Sequence, residues 1–422
     1  MNILKIGLTT VSALSLLLCG TMVNVSAKNI SQIILAQNDK SQINPQLLVA
    51  EALQIIEKNY IDGNFNGLNW QQVKTQTLNS QYATSEQAYQ AIDSILNRLD
   101  NPATRLLTAK QFAGFSAENS GKNIIGVGLP ETLSLDYDEQ RYLRIITPLP
   151  NSLAAKAGLT TGDFLTAING LSTDNLSLAA ASKKLRGAKG STVNLTLKRE
   201  DSTFDVQLKR EKIIVVPTVR TKLINVGKDR IGYIYLSQFL DSSPSEIRKA
   251  LDKLKEAKAL ILDLRNNPGG SVLTAVELAG FFLGEAKIGT AATRVNLPPL
   301  KSTEIQLTRQ PLIVLVNQGT ASAAELLAGS LQDWQRAIVV GTPTIGKGLI
   351  HNIEPLADNS AIVVTLGKLF TPNGRDILKS GIEPDVFSDS DNSPLLDPNI
   401  EPASSKDIQY LKAIEQLQKE FY

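Results

Sequence analysis

The sequence predicts a multidomain α+β chain. A helical region spans 45–118, a β-rich domain 119–212 and an α/β core 213–386, with a linker and terminal helix over 387–422. Three observations predict this. Near the front, apolar residues recur at helical spacing: Leu48, Ala52, Leu53 and Ile56, then Ala88, Ile92, Ile95, Leu96 and Leu99. The middle is built of short alternating runs punctuated by glycine and Asn169-Gly170. Beyond it, buried-strand runs alternate with helical ones, which is the order of an α/β domain.

Composition bounds the function. With 422 residues and 42% hydrophobic content, the chain can build two or three cores. A formal net charge of +2 offers no polyanion-binding surface, so nucleic acid is not an expected partner. Lys5, the apolar run Val11–Leu18 and Val25-Ser26-Ala27 read as a signal peptide over 1–27, with an uncleaved anchor as the alternative. Residues 28–44 form a polar lead-in. Cleavage after Ala27 removes Cys19, the only cysteine, and with it any disulfide or thiol nucleophile. A single histidine, His351, excludes a multi-histidine metal site, and no metal or cofactor is expected.

The elements follow in order. Asn44-Pro45 starts the first helix, and Thr84-Ser-Glu-Gln87 is a capping box for a second. Ile124–Leu129, Tyr142–Ile146 and Phe164–Asn169 read as strands, Leu176–Leu185 as a helix, and Thr192–Lys198 with Phe204–Leu208 as a hairpin. Ile231–Leu236 is a strand, and Ser243-Pro244-Ser-Glu246 is a further capping box. Ala259–Leu264 is a buried strand, Arg265–Gly270 a loop and Leu273–Leu283 a helix. Residues 387–405 are Ser/Asp/Pro-rich, and Asp407–Phe421 forms the terminal helix.

The stretch from Leu312 to Lys347 organises the core. Leu312–Val316 is an unbroken apolar strand, Asn317-Gln318-Gly319 breaks it, and Ala323–Leu331 is helical. Ser322 therefore stands where a strand turns into a helix. N–H groups point outward there, so an oxyanion can be stabilised. The same serine also opens an S-x-x-E capping box with Glu325, and both readings stay open on the local pattern.

Two resemblances extend these readings. The IIGVGL strand, KAGLTTGD, AINGLS and LRGAKGSTVNLTLKR resemble a bacterial PDZ domain. That implies capture of a polypeptide C-terminus at a sheet edge, with the backbone around Gly126, Val127, Gly128 and Leu129 holding the carboxylate. ILDLRNNPGG, VLVNQGTASAAELLAGSLQD, VGTPTIGKGLI and LFTPNGRDILKSGIEPD, with LDNPATRLLTAKQF at 99–112, resemble the carboxyl-terminal processing peptidases over roughly residues 45–386. These are serine–lysine endopeptidases with a PDZ domain ahead of a crotonase- or Clp-protease-like core. The resemblance implies Ser322 as nucleophile and Lys347 as general base. It implies Ala323 with Gly269 or Gly270 in the oxyanion hole, and Asp333 as a possible supporting acid.

Chemistry supports the pair independently. A serine hydroxyl needs a base, and lysine serves only when neutral. At an unperturbed pKa near ~10.4, fewer than roughly one lysine in a thousand is neutral at pH 7. The site must lower that pKa by about 2–3, at roughly 3–4 kcal/mol. The glycines flanking Lys347 permit the close, buried approach this requires.

Position 351 departs from the family, which carries glutamine there. His351 lies an even number of residues from Lys347, so on an extended strand both side chains share one face. A neutral imidazole can accept from the amine as glutamine does, and a protonated one cannot. Activity should then fall in acid. The implied function is an exported serine endopeptidase of the periplasm or thylakoid lumen, acting on protein or peptide C-termini and brought near a membrane only by its substrate. The alternatives are a catalytically weakened PDZ-type scaffold, or a Ser322–His351 hydrolase.

Overall fold

The computed structural model describes residues 44–119, 124–129, 135–137, 142–149, 152–174, 176, 178–213, 218–378, 380–389 and 402–421. The signal-peptide reading falls outside them. Among the described residues three α-helices come first: α1 (Pro45–Asn59), α2 (Trp70–Asn79) and α3 (Ser85–Arg98). The Asn44 side chain caps α1 by accepting from Gln46 N–H. At α3 the first half of the predicted box forms, with Thr84 Oγ1 accepting from Gln87 N–H, while Gln87 Oε1 reaches one residue further back, to Ala83 N–H. The sequence reading misses α2, whose only buried side chains are Trp70 and Val73. A short strand β1 (Arg105–Leu107) and helix α4 (Ala109–Asn119) follow.

The next domain contains β2 (Ile124–Gly126), β3 (Leu135–Tyr137), β4 (Leu143–Ile145), α5 (Leu153–Lys156), β5 (Phe164–Ile168) and β6 (Leu171–Ser172). Helix α6 (Leu178–Leu185), the hairpin β7 (Thr192–Arg199) and β8 (Ser202–Lys209), and β9 (Glu211–Ile213) complete it. The sheet runs β3-β4-β5-β7-β8 with β6 beside β5, while β2 pairs with β9. Alternate residues, among them Leu143, Ile145, Leu165, Leu195 and Leu197, fill its core. The strand expected over Ile124–Leu129 ends at Gly126. The chain bends at Gly128 (φ +90°), where a Cβ would stand 2.1 Å from Ser152 Cβ.

The core opens with the antiparallel pair β10 (Val219–Val226) and β11 (Asp229–Leu236), then α7 (Ser243–Lys253), β12 (Ala259–Asp263) and α8 (Val272–Leu283). Next come β13 (Ala286–Thr293), β14 (Leu300–Ser302), β15 (Leu312–Val316), α9 (Ala323–Asp333) and β16 (Ile338–Gly341). It ends with β17 (Leu349–Pro355), β18 (Ala361–Phe370), β19 (Val386–Phe387) and α10 (Ile408–Phe421). The predicted box at Ser243 does not form, since Ser243 Oγ bonds Leu240 N–H and Gln238 O instead. Ser242 is the N-cap of α7, and Glu246 accepts from Ser242 Oγ and Val219 N–H.

The central sheet has the order β10-β11-β12-β15-β16-β19 and is parallel from β11 onward. Leu260, Leu262, Val314 and Val316 face α7, α8 and α9, whereas Ile261, Ile313 and Leu315 face Tyr410, Ala413 and Leu417 of α10. Covering on both faces explains the unbroken apolar runs of β12 and β15. A second sheet, β1-β18-β13-β14 with β17 on β18, carries the N-terminal region into the core. Leu48, Ile56, Ile92 and Leu106 share one cluster with Leu356, Ile362 and Val364.

Candidate active site

The serine corner grows from the end of β15. Asn317 N–H donates to Thr320 Oγ1, Thr320 N–H donates back to Asn317 O, and Thr320 Oγ1 donates to Leu264 O. This closes a tight turn, and Ser322 follows at φ 55°, ψ −116° as the N-cap of α9. That backbone region belongs to glycine, and holding a serine there costs about 1–3 kcal/mol. A strained strand-to-helix turn is what lifts a nucleophilic hydroxyl clear of its own backbone. Ser322 is half-buried, while every residue from Ala323 to Leu331 is buried.

Glu325 does more than cap. Its Oε2 accepts from Ser322 N–H at 2.7 Å and Lys347 N–H at 2.9 Å. Its Oε1 accepts from Gly346 N–H at 2.7 Å and Thr344 Oγ1 at 2.6 Å. One fully buried carboxylate thus ties the serine corner to the Gly-Lys-Gly loop. Burial pushes its pKa up from 4.5 to about 7, against the opposing pull of Thr344, Gly346, Ser322 and Lys347.

Lys347 is half-buried in the loop between β16 and β17. The loop is pinned by Ile345 N–H to Thr320 O, and by Ile382 N–H to Thr344 Oγ1. Both flanking glycines are required. Gly346 has φ +80°, and a Cβ on Gly348 would stand 2.3 Å from Leu378 N.

His351 lies on β17, with Nδ1 3.0 Å from Thr365 Oγ1, which in turn accepts from Thr104 Oγ1 at 3.0 Å. The even-spacing argument needs correction. Strand β17 begins at Leu349, so Lys347 precedes it and the alternation of faces does not reach that residue.

The loop after β12 lies against the serine. A Cβ on Gly269 would come within 2.9 Å of Ser322 Cβ and 3.0 Å of Ala323 N. Gly269 N–H donates to Asn267 Oδ1 at 2.9 Å, so it is already engaged. The N–H groups of Gly270 and Ala323 donate to no group among the described residues. Asn266 and Asn317 clasp each other across the two loops, N–H to Oδ1 at 2.9 Å and Nδ2 to Oδ1 at 2.8 Å. Asp333 is elsewhere. It closes the far end of α9, eleven residues and about 16 Å beyond Ser322. There it pairs with Arg375 at 2.5 Å and accepts from Asn373 N–H.

At the other candidate site, the carbonyls of Val127 and Gly128 accept from Ala154 N–H and Leu149 N–H, both at 2.9 Å. Val127 and Leu129 bury their side chains in the domain core. The same domain reaches the serine turn through Thr161, whose buried hydroxyl has no partner among the described residues. It lies 2.9 Å from where a Cβ on Gly319 would stand.

A carboxyl-terminal-processing protease of Picosynechococcus sp. is 40% identical over 345 residues, covering 81% of this chain and 82% of that one. The sequence pattern of peptidase family S41 matches residues 230–388, and that of the PDZ domain residues 144–199. The chain belongs to peptidase family S41. It is a serine-type endopeptidase with the fold class read from its sequence. Among other S41 relatives, the chloroplastic carboxyl-terminal-processing peptidase 2 of Arabidopsis thaliana is 35% identical, over 80% of this chain and 68% of its own. The solved photosystem II D1 C-terminal processing protease superposes with a TM-score of 0.73 at 31% identity, over 84% of this chain and 95% of its own. A PDZ domain beside an S41 core suits a protein C-terminus as ligand.

Proposed function

We propose that this S41 peptidase trims C-terminal tails from exported proteins, with Ser322 as nucleophile and Lys347 as base. The observation that carries this reading is the Glu325 carboxylate, which holds Ser322 N–H and Lys347 N–H on the same oxygen. Ser322 Oγ attacks the scissile carbonyl and passes its proton to neutral Lys347 Nζ. The ammonium then protonates the leaving amine. Water, deprotonated by the same lysine, hydrolyses the acyl-serine ester and frees the enzyme. Ala323 N–H and Gly270 N–H bind the oxyanion. Gly269 supplies the close approach and not a donor, because Asn267 holds its N–H. His351, whose Nδ1 lies against Thr365 Oγ1, supports the lysine loop from β17.

Tail selection is assigned to the PDZ domain. The N–H edge of Gly126–Leu129 holds the substrate carboxylate, and the Thr161 contact carries the domain to the serine turn. The apolar leader together with cyanobacterial and chloroplastic relatives supports a periplasmic or thylakoid-lumen location, near a membrane only through the substrate. The deciding experiment incubates a tail-bearing protein with wild type, Ser322→Ala and Lys347→Ala, and reads the products by mass. Shortening at one internal bond by wild type alone is expected. Unchanged turnover in either variant sinks the dyad, and a wild type inert on every tail favours a scaffold.

A further inference from the structure

Arg265, at the base of the oxyanion loop, is fully buried between two carboxylates. Asp263 takes Nε at 2.9 Å and Nη2 at 2.5 Å. Asp407, just ahead of α10, takes Nη1 and Nη2 at 2.8 Å each, a bidentate fork that sets the guanidinium plane. Tyr233 Oη donates to Asp263 Oδ2 at 2.6 Å, and Gln409 Oε1 lies 3.2 Å from Nη1. Asp407 is itself held by Ala403 N–H and Tyr410 N–H, at 3.0 and 3.1 Å.

What this cluster holds is the loop that follows. Asn266, Gly269 and Gly270 all have positive φ, so 266–270 does not keep its shape unaided. It is pinned by Asn317 and Ala321 N–H in the serine turn, by Leu236 O through Asn267 Nδ2, by Phe239 N–H on Gly269 O, and at its root by Arg265, whose guanidinium the two carboxylates fix. The same C-terminal segment also reaches the lysine side. Gln409 Nε2 donates to Ser388 O, and Ser388 N–H donates to Gly341 O at the root of the Lys347 loop. A stretch far from the chemistry in sequence thereby touches the supports of both halves of the site.

We propose that Asp407 is a positioning residue: acting through Arg265, it sets the oxyanion loop 266–270 in register with Ser322. The inference rests on the serine-peptidase reading above. Removing the fork leaves Ser322 and Lys347 in place but lets the Gly270 donor drift from the developing oxyanion. The loss therefore falls on the transition state and not on tail binding.

The test compares full-length wild type, Asp407→Asn and Asp407→Glu on one tail peptide. It also measures affinity for a peptide boronic acid, which mimics the tetrahedral state, and for the product peptide. For Asp407→Asn, kcat should fall about 100-fold, the loss typical of one oxyanion donor. KM and product affinity should stay within about twofold, and boronate affinity should fall with kcat. If Asp407→Asn does not fold, Asp407→Glu keeps the charge but shifts the fork by one methylene. It should show the same parallel loss of kcat and boronate affinity. A folded Asp407→Asn with kcat and boronate affinity within threefold of wild type overturns the inference. So does a loss wholly accounted for by the folded fraction, or a wild-type-like Asp407→Glu where Asp407→Asn fails to fold. Ser322→Ala runs alongside: if it cleaves as wild type does, the peptidase reading fails, whereas an active wild type with an unaffected Asp407→Asn fails the Asp407 inference alone.

Discussion

Ser271 and Ser322 head two helices of the same core, and they differ in backbone angle and in what holds them. Ser271 has extended backbone, φ −68° and ψ 121°, and its Oγ accepts from Thr274 N–H at the start of α8. Ser322 has φ 55° and ψ −116°, and a buried glutamate holds its N–H. The first is a cap whose hydroxyl serves the helix. The second is held in a glycine-like conformation by bonds that the lysine loop shares. A capping motif therefore does not separate the two roles; the backbone angle and the destination of the acidic partner do.

The largest effect should fall on this contrast. Ser322→Ala and Lys347→Ala should each lower kcat by roughly 10⁵–10⁶, and the double variant by little more, since the two groups act as a unit. Ser271→Ala should cost about 1 kcal/mol of stability and leave most turnover. Steady-state kinetics beside thermal melts measure both. A Ser271→Ala variant as dead as Ser322→Ala would erase the distinction.

Next in size is Glu325→Gln. Four donors face this carboxylate, and an amide can accept from them with only one oxygen while pointing two N–H groups at the rest. A fall in kcat of about 10²–10³ with the fold intact is expected. The wild type should also show opposite trends of stability and activity with pH. The folded pKa of Glu325, about 7, is raised above its ordinary 4.5 by burial. The stability linked to this group is therefore fully present below about 4.5 and is lost, by about 3 kcal/mol, as pH rises through about 7. Activity runs the other way, because only the ionised carboxylate accepts all four bonds. A pH–rate profile flat between 5 and 8 would contradict this.

His351→Gln sharpens the same comparison at smaller cost. Glutamine can accept as imidazole does, so turnover should stay within about tenfold. An acid limb that persists in this variant with its midpoint near 7 assigns the limb to Glu325. A limb abolished by His351→Gln assigns it to the histidine.

Local patterns carried the parts of this molecule that are locally determined. The bounds of β15 were legible because a strand covered on both faces leaves an unbroken apolar run, and Ser322 because a helix had to begin right after it. The second task of Glu325 was not, since Thr344, Gly346 and Lys347 meet it from 19 to 22 residues away. The engagement of Gly269 N–H by Asn267 and the forked contact of Asp407 with Arg265 are likewise folded-state bonds without a local pattern. Strand β1 escaped notice because three residues cannot display alternation; its pairing with β18 creates it. Asp333 is a supporting acid only by resemblance; α9 ends at it, away from the serine corner, where it pairs with Arg375.

The smallest effect is also the most direct probe of the strained corner. Ser322→Ala and Ser322→Gly both remove the nucleophile, so neither should turn over substrate. They differ in backbone freedom. Alanine at φ 55° and ψ −116° keeps the Cβ penalty that serine bears, and glycine has none. Glycine at a helix N-cap costs only a few tenths of a kcal/mol, and the greater freedom of its unfolded chain offsets part of the relief. The net should still favour glycine by about 1 kcal/mol, which for a core of this size is a Tm higher by about 2–4 °C. Scanning calorimetry on the two inactive variants measures it without interference from self-digestion. A Ser322→Gly variant that melts below Ser322→Ala would mean that the corner is not under strain. The contrast between Ser271 and Ser322 would then rest on Glu325 alone.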